Sequence, residues 1–306
     1  MTSFTFTASD GAALVTYKWE PATKARAVIH IFHGLAEHAG RYARIAKSLN
    51  SQGYVVYASD LRGHGQTARS QDALGFWTEA QGWDRVVLDG IEMLEAEALE
   101  NASLPVILLG HSLGSYLAQR LLYERPNLLR AAVLSAPNVK PGLLAQTGRV
   151  MARAERLRLG KRGKSQLINS LTFGKFNQQF APVATPFDWL SRDAAEVKLY
   201  FNDARCGFLC TTQLWVDFLD GIEDLAKPEH KRLIRPTFPL YIFAGDRDPV
   251  CENGKGAQAL AQEYKAAGLM NVTCKIYPEG RHEMLNEINR QEVVNDLMLW
   301  LDNIVT

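Results

Sequence analysis

An α/β fold, built on a mostly parallel central sheet with helices on both faces and an inserted helical cap, is predicted by three observations. Short apolar runs rich in β-branched residues alternate with segments of helical period; the alternation stops between about 137 and 235; and it then resumes to the C-terminus. Strands that alternate with helices pair in parallel, because a parallel crossover needs a helix to return the chain.

The elements follow in order. "FTFTA" and "LVTYKWE" flank Asp10-Gly11, a hairpin signal. "AVIHIFHG" (27–34) reads as a buried strand, "RYARIAKSLNSQG" as a helix stopped by Gly53, and "YVVYASD" as the next strand. The long helix "GWDRVVLDGIEMLEAEALE" precedes "LPVILLG", a strand introduced by Pro105. Leu113, Leu117 and Leu121 then recur at helical spacing to about Tyr123, and "LRAAVLSAP" is a further strand. The later set is "FPLYIFAG" (238–245), the helix "GKGAQALAQEYKAAG", "VTCKIYP" and the helix "QEVVNDLMLWLDNIV".

The interrupting stretch has no strand pattern. It carries helical patterns and the aromatics Phe173, Phe176, Phe180, Phe187, Trp189, Tyr200, Phe201, Phe208, Trp215 and Phe218. The expected organisation is a core in two parts, 1–136 and 236–306, with a helical cap or lid over 137–235.

Bulk properties narrow the function classes. The chain has 306 residues, 47% of them apolar and 22% charged, with a formal charge of +1. That balance offers no general attraction to nucleic acid. The N-terminus lacks a basic start and an uninterrupted apolar core, and no apolar run reaches membrane-spanning length. The four cysteines, Cys206, Cys210, Cys251 and Cys274, show no disulfide framework, and Cys206 and Cys210 lack a second ligand pair nearby. The expectation is a cytoplasmic protein with reduced thiols and with neither metal nor cofactor.

Gly110-His111-Ser112-Leu113-Gly114 lies between a strand and a helix, which is the setting of a G-x-S-x-G nucleophile elbow. A nucleophile on so sharp a turn needs small neighbours, and the helix start offers unpaired N–H groups where negative charge develops during acyl transfer. A serine hydroxyl needs a base. His111 is adjacent but points the other way from Ser112; His30 is in a strand and reads as core; His38 and His64 sit in loops as candidate wall residues; His230, in "KPEHKR", reads as surface. His282, between the last strand and last helix, is the candidate base, since an elbow of this kind takes its partners in the order serine, acid, histidine. The acid lies in "FAGDRDPV", where Asp248 is preferred and Asp246 is the alternative. Two backbone N–H donors should receive the oxyanion: that of Leu113, and that of Leu35 in "HGLAEHAGRY", where Gly34 allows close approach.

"HGLAEHAGRY", "DLRGHGQT", "GHSLGS", "GDRDPV" and "GRHEMLNE", in this order, resemble the α/β-hydrolase superfamily. More narrowly they are similar to its monoacylglycerol lipase and lysophospholipase branch, the serine aminopeptidase S33-like hydrolases. In the cap, "WLSRDAAEVKLYFNDARCGF" is similar to a segment of bacterial members. The resemblance implies Ser112 as nucleophile, Asp248 as acid, His282 as base and Leu35 and Leu113 as oxyanion donors. It also implies a small acyl ester as substrate and a structural turn at "DLRGHG".

Two features bear on substrate. Between Pro141 and Leu159 an apolar stripe (Leu143, Leu144, Val150, Met151, Ala154, Leu157) runs beside an arginine ridge (Arg149, Arg153, Arg156), with Arg158, Lys161, Arg162 and Lys164 following. Such a helix is either a solvated cap face or a contact for an anionic membrane surface or a phosphorylated substrate. Cys251, three residues past Asp248, is placed near the acyl pocket, where a thiol reagent would inhibit. The reading is a metal-free serine hydrolase of carboxylic esters, acting on glycerol or lysophospholipid monoesters. The alternatives are a small-peptide or amide hydrolase with the same residues, and a ligand-sensing protein on a hydrolase scaffold.

Overall fold

The structure, a computed structural model, describes residues 1–138 and 143–305, with backbone alone for 143–146. An antiparallel hairpin, β1 (Thr2–Thr7) and β2 (Ala13–Trp19), opens the chain around Asp10-Gly11. Continuous apolar runs suit strands covered on both faces. Accordingly β3 (Ala27–Phe32), β4 (Tyr54–Ser59), β5 (Val106–His111), β6 (Ala131–Ser135) and β7 (Leu240–Gly245) are buried at every position. β8 (Val272–Tyr277) closes the far edge and is only partly covered. The order is β1-β2-β4-β3-β5-β6-β7-β8, antiparallel among β1, β2 and β4 and parallel for every pair beyond. This is the α/β-hydrolase arrangement.

The crossovers are α1 (Ala43–Ser51), α2 (Gly82–Glu100) and α3 (Leu113–Glu124). Between β6 and β7 come α4 (Leu143–Leu159), α5 (Gln166–Leu171), α6 (Phe173–Phe176), α7 (Ala194–Asn202), α8 (Thr212–Leu225) and α9 (Pro228–Lys231). Among the described residues of this segment the only strand-like feature is an isolated bridge, Lys164 to Thr211. The chain finishes with α10 (Lys255–Ala266) and α11 (Arg290–Asp302).

Alternate residues of a strand point to opposite faces, so one sheet feeds two cores. Val28, Phe32 and Leu108 pack with Val86, Leu117 and Leu260 of α2, α3 and α10. Ile29, Ile31 and Leu109 pack with Leu49 and Leu297 of α1 and α11. The register pairs Phe32 with Gly110, His111 with Ser135 and Ser135 with Phe243. The carboxyl ends of β3, β5, β6 and β7 therefore share one edge, and the loops that leave them meet there.

The face of α4 differs from the expectation. Arg149 Nε donates to Asp220 at 2.9 Å and Arg153 Nη2 reaches both oxygens of Asp220 at 2.8 Å. Arg156 donates to Gln213 at 3.1 Å, Arg158 to Glu155 at 2.8 Å and Arg162 to Glu79 at 2.9 Å. Carboxylates on α8 draw the ridge inward, and the apolar residues turn out: Val150 is 71% exposed and Leu157 86%. Pro141, and the side chains of Leu143 and Leu144, lie outside the described residues.

Candidate active site

Ser112 joins β5 to α3 with φ 49° and ψ −114°. A non-glycine residue in such a conformation costs on the order of 1–3 kcal/mol and persists where its surroundings hold it. Its neighbours can be nothing larger than glycine. A Cβ on Gly110 would lie 2.2 Å from the carbonyl oxygen of Gly114, and one on Gly114 would lie 2.1 Å from that of Phe32. The strained backbone is pinned by Ser112 N donating to Ser135 O at 3.0 Å and by the Ser115 hydroxyl donating to Ser112 O at 2.6 Å. No side chain caps α3 at Ser112, and the N–H of Leu113, at the first position of the helix, has no partner within it; pairing to Ser112 O begins at Ser115 N, at 2.8 Å. The loop after β3 lies against this turn: a Cβ on Gly34 would come within 3.4 Å of Ser112 Cβ. Leu35 and Leu113 line the same cavity as Ser112 and His282.

The loops after β7 and β8 meet because Gly245 and Gly280 touch; a Cβ on Gly245 would sit 1.9 Å from the Gly280 carbonyl oxygen. Arg247 N donates to that same oxygen at 2.9 Å. This contact brings His282 Nδ1 to 2.9 Å from Asp248 Oδ2. The second carboxylate oxygen of Asp248 accepts from Val250 N at 2.9 Å. Asp248 is fully buried and His282 nearly so. Burial alone would raise the Asp248 carboxyl, but the charge and hydrogen bond of His282 hold it below its ordinary value. Burial would likewise lower His282, and Asp248 overrides it, so the imidazole titrates above 6.5. The carboxylate keeps a proton on Nδ1 and leaves Nε2 basic. The alternative acid, Asp246, makes no contact with His282; its N–H donates to Tyr277 O, and its buried Oδ1 has no partner among the described residues.

Of the remaining histidines, His30 lies where expected and others do not. His30 is core, with Nδ1 2.8 Å from Glu97 Oε1. His111 does not point clear of the site: it lines the cavity, and its ring centroid lies 4.8 Å from that of His282. Its Nδ1 is 3.0 Å from Ser135 Oγ, and burial with the neighbouring His282 lowers its pKa to about 4, leaving a neutral wall. His38 and His64 are not in the cavity wall: His38 turns to Asp203, and His64 is buried against Phe208. His230 stacks on Tyr123 at 4.3 Å rather than standing free in solvent. In "DLRGHG", Asp60 accepts from Ala39 N at 2.8 Å and Gln66 N at 2.7 Å, as befits a structural turn.

The cavity is open to solvent at its mouth and is walled largely by Phe173, Phe176, Trp189, Tyr200, Trp215 and Phe218 from the segment between β6 and β7. Val250 lines it, whereas Cys251 does not; the Cys251 thiol is completely buried beneath Asp248, with Sγ 3.9 Å from Asp248 O, and burial raises its pKa. The thiol is therefore not presented to the cavity, contrary to the expectation. Sequence reasoning missed a buried cluster behind the Leu35 loop. Glu37 accepts from Gly34 N at 2.6 Å and Tyr42 OH at 2.9 Å, and Arg41 joins it to Glu283. These residues sit inside motifs already noted, but nothing in their spacing links position 37 to position 283.

The chain also resembles known proteins along most of its length. Residues 23–289 match the family described as serine aminopeptidase, S33. The chain is 33% identical over 292 residues to phospholipase YtpA of Bacillus subtilis, covering 94% of this chain and 100% of that one. It is 26% identical over 295 residues to monoglyceride lipase of Homo sapiens, covering 96% and 88%. Its fold superposes on a thermostable carboxyl esterase from Bacillus coagulans with a TM-score of 0.91, at 24% identity and over 100% and 99% of the two chains. By the family match, the full-length likeness to the Bacillus subtilis relative and the architecture together, the chain is an α/β hydrolase and belongs to the serine aminopeptidase S33 family.

Proposed function

We propose that Ser112, His282 and Asp248 work as a catalytic triad on monoesters of medium or long fatty acids, with glycerol or a lysophospholipid headgroup as the alcohol. The chain is a carboxylic ester hydrolase. Ser112 Oγ attacks the ester carbonyl as His282 Nε2 takes its proton, and the N–H groups of Leu35 and Leu113 receive the oxyanion. His282 then protonates the departing alcohol, and a water repeats the sequence to free the acid. Asp248 holds the imidazole tautomer and stabilises its cation.

The observation that carries the reading is the 2.9 Å contact of buried Asp248 with His282, which lines the same cavity as the strained Ser112. Substrate class rests on the wall itself. A cavity walled mostly by aromatic side chains suits a hydrocarbon chain and offers few polar groups to a peptide. The names of the relatives, a monoglyceride lipase and a phospholipase, support the same class. In this proposal residues 137–235 act as the lid, and any contact with a lipid surface falls to the exposed Val150 and Leu157 side of α4.

A fluorophosphonate probe should label the protein and fail to label Ser112→Ala. A panel of p-nitrophenyl esters graded by chain length, monoacylglycerols and aminoacyl amides then ranks the substrates. Preference for aminoacyl amides over every ester overturns the ester reading, and uniformly slow turnover with a reactive serine returns the sensor alternative.

A further inference from the structure

Outside the cavity, three side chains bring metal-ligating atoms together. His38 comes from the loop after β3, Asp203 follows the last residue of α7, and Cys206 lies three positions further on. One ligand atom from each lies within 4.8 Å of the other two. We infer that His38, Asp203 and Cys206 form a binding site for a thiophilic divalent cation of the zinc class.

The donor set selects the ion. One thiolate, one imidazole and one carboxylate suit zinc and disfavour magnesium or calcium, which take oxygen ligands. In a tetrahedral zinc site with bonds of about 2.0–2.3 Å, neighbouring ligand atoms stand roughly 3.3–3.6 Å apart. His38 Nε2 and Asp203 Oδ2, at 2.9 Å, would open by a few tenths of an ångström, and the longest separation would close by about 1 Å. Small side-chain rotations supply both. Water takes the fourth position, and the Asp203 side chain, 38% exposed, opens an access path from solvent.

The two backbone segments are already fixed to each other. Gly207 N donates to Ala36 O at 2.9 Å, and Tyr200 OH donates to the same oxygen at 2.8 Å. Arg205 N donates to Asp203 Oδ1 at 2.8 Å, which leaves Oδ2 facing His38, and Cys206 N donates to Asp203 O at 2.9 Å. Such outer contacts orient ligands before the ion arrives. A plain His38–Asp203 pair would account for two of the three groups; Cys206, a free and half-buried cysteine, packs beside the Trp189–Tyr200 cluster with no hydrogen bond to its sulfur among the described residues, so that sulfur is available to an ion.

The surrounding charges set the conditions. Arg41 beside Cys206 and Arg205 beside Asp203 oppose a cation, and Glu37 and Glu283 offset them. An incoming ion displaces the Cys206 thiol proton: one sulfur–hydrogen bond is lost, one sulfur–metal bond forms and one proton is released. Binding therefore strengthens as pH rises. The spacing of Cys206 and Cys210 carries no zinc signal because the partner of this group is not Cys210, which is buried, but a histidine 165 positions before Asp203.

The test uses the full chain after chelator treatment and Zn²⁺ or Co²⁺ alone as the probe. The expected result is one ion per chain by equilibrium dialysis, a near-ultraviolet thiolate-to-cobalt band, and Zn²⁺ protection of Cys206 from a thiol reagent read by peptide mapping. Cys206→Ser and His38→Asn should each bind roughly 10–100-fold more weakly, and Cys206→Ser should lose the cobalt band. Fluorophosphonate labelling of both variants reports that they are folded, and thiol protection in the unmodified chain stands even if a variant fails. Absent stoichiometric binding, a cobalt spectrum without the thiolate band, or binding unchanged in both variants overturns the site; the last result would place the ion on another group, such as His282.

Discussion

Arg41 donates to Glu283 through both arms of its guanidinium, Nη1 to Oε1 and Nη2 to Oε2, each at 2.6 Å. Nη1 also donates to Glu37, which itself holds Gly34 N. One buried cation thus ties the loop that presents Leu35 to the residue beside His282. Burial disfavours the Arg41 charge, and the two carboxylates restore it and hold the guanidinium well above its ordinary range.

Arg41 is therefore a positioning residue, and its removal should loosen two loops at once. Arg41→Met leaves two buried carboxylates facing each other and should cost about 3–5 kcal/mol of unfolding free energy, measured by urea titration. Turnover should fall with KM little changed, because the apolar wall is intact. Arg41→Lys should recover only part of the loss, since an ammonium cannot fork between two partners. Full recovery with lysine would mean that charge alone matters and the fork geometry does not.

The pH profile follows from His282 and Asp248. The base must be neutral, and Asp248 raises its pKa above 6.5, so kcat/KM should fall as pH drops through a value on the alkaline side of 6.5. The sign for stability is the reverse. The raised His282 stabilises the fold fully below about 6.5, its unfolded value, and that contribution is lost as pH rises through the folded value. The lowered Asp248 stabilises the fold above about 3.9, and this is lost as pH falls through its folded value. Asp248→Asn should lower kcat by roughly 10⁴ and shift the acid limb to lower pH. An unmoved limb in that variant would assign the titration to another group.

The fold was legible because the strands of the parallel sheet are buried on both faces and so read as unbroken apolar runs, as in "AVIHIF" and "LYIFAG". The elbow was legible because a strained turn admits only glycine at positions 110 and 114, and that requirement is written in the local sequence. The orientation of α4 was not, because it is decided by Asp220 and Glu223 on α8, some seventy residues away. Likewise Asp246 and Asp248 are chemically alike in sequence. They are separated by the contact of Gly245 with Gly280, which aims one of them and not the other at His282.

That contact is itself testable. Gly245→Ala forces a methyl group into the Gly280 backbone, which cannot yield as a flexible side chain would. The loops after β7 and β8 must separate, at a cost of roughly 3 kcal/mol or more. Esterase activity should fall together with the midpoint of thermal unfolding. An alanine variant with unchanged melting and unchanged turnover would show that the two loops are not held by this approach.

The cap helix offers the last case. If the arginine ridge met lipid, binding to vesicles would depend on anionic headgroups and on Arg149, Arg153 and Arg156. In the structure those side chains are engaged with Asp220, Glu223 and Gln213, while Val150 and Leu157 face outward. The ion pairs are part-exposed, so each contributes only about 0.2–1 kcal/mol. The expectation is that co-sedimentation with neutral and with anionic vesicles is alike, and that changing the three arginines to Gln lowers the melting temperature slightly without altering lipid binding. Leu157→Ser should reduce whatever binding is found, since it removes apolar surface that is already exposed and strains nothing. A strong anionic preference that vanishes in the triple Gln variant would instead require the ridge to leave α8, with α4 turning over when it meets the membrane.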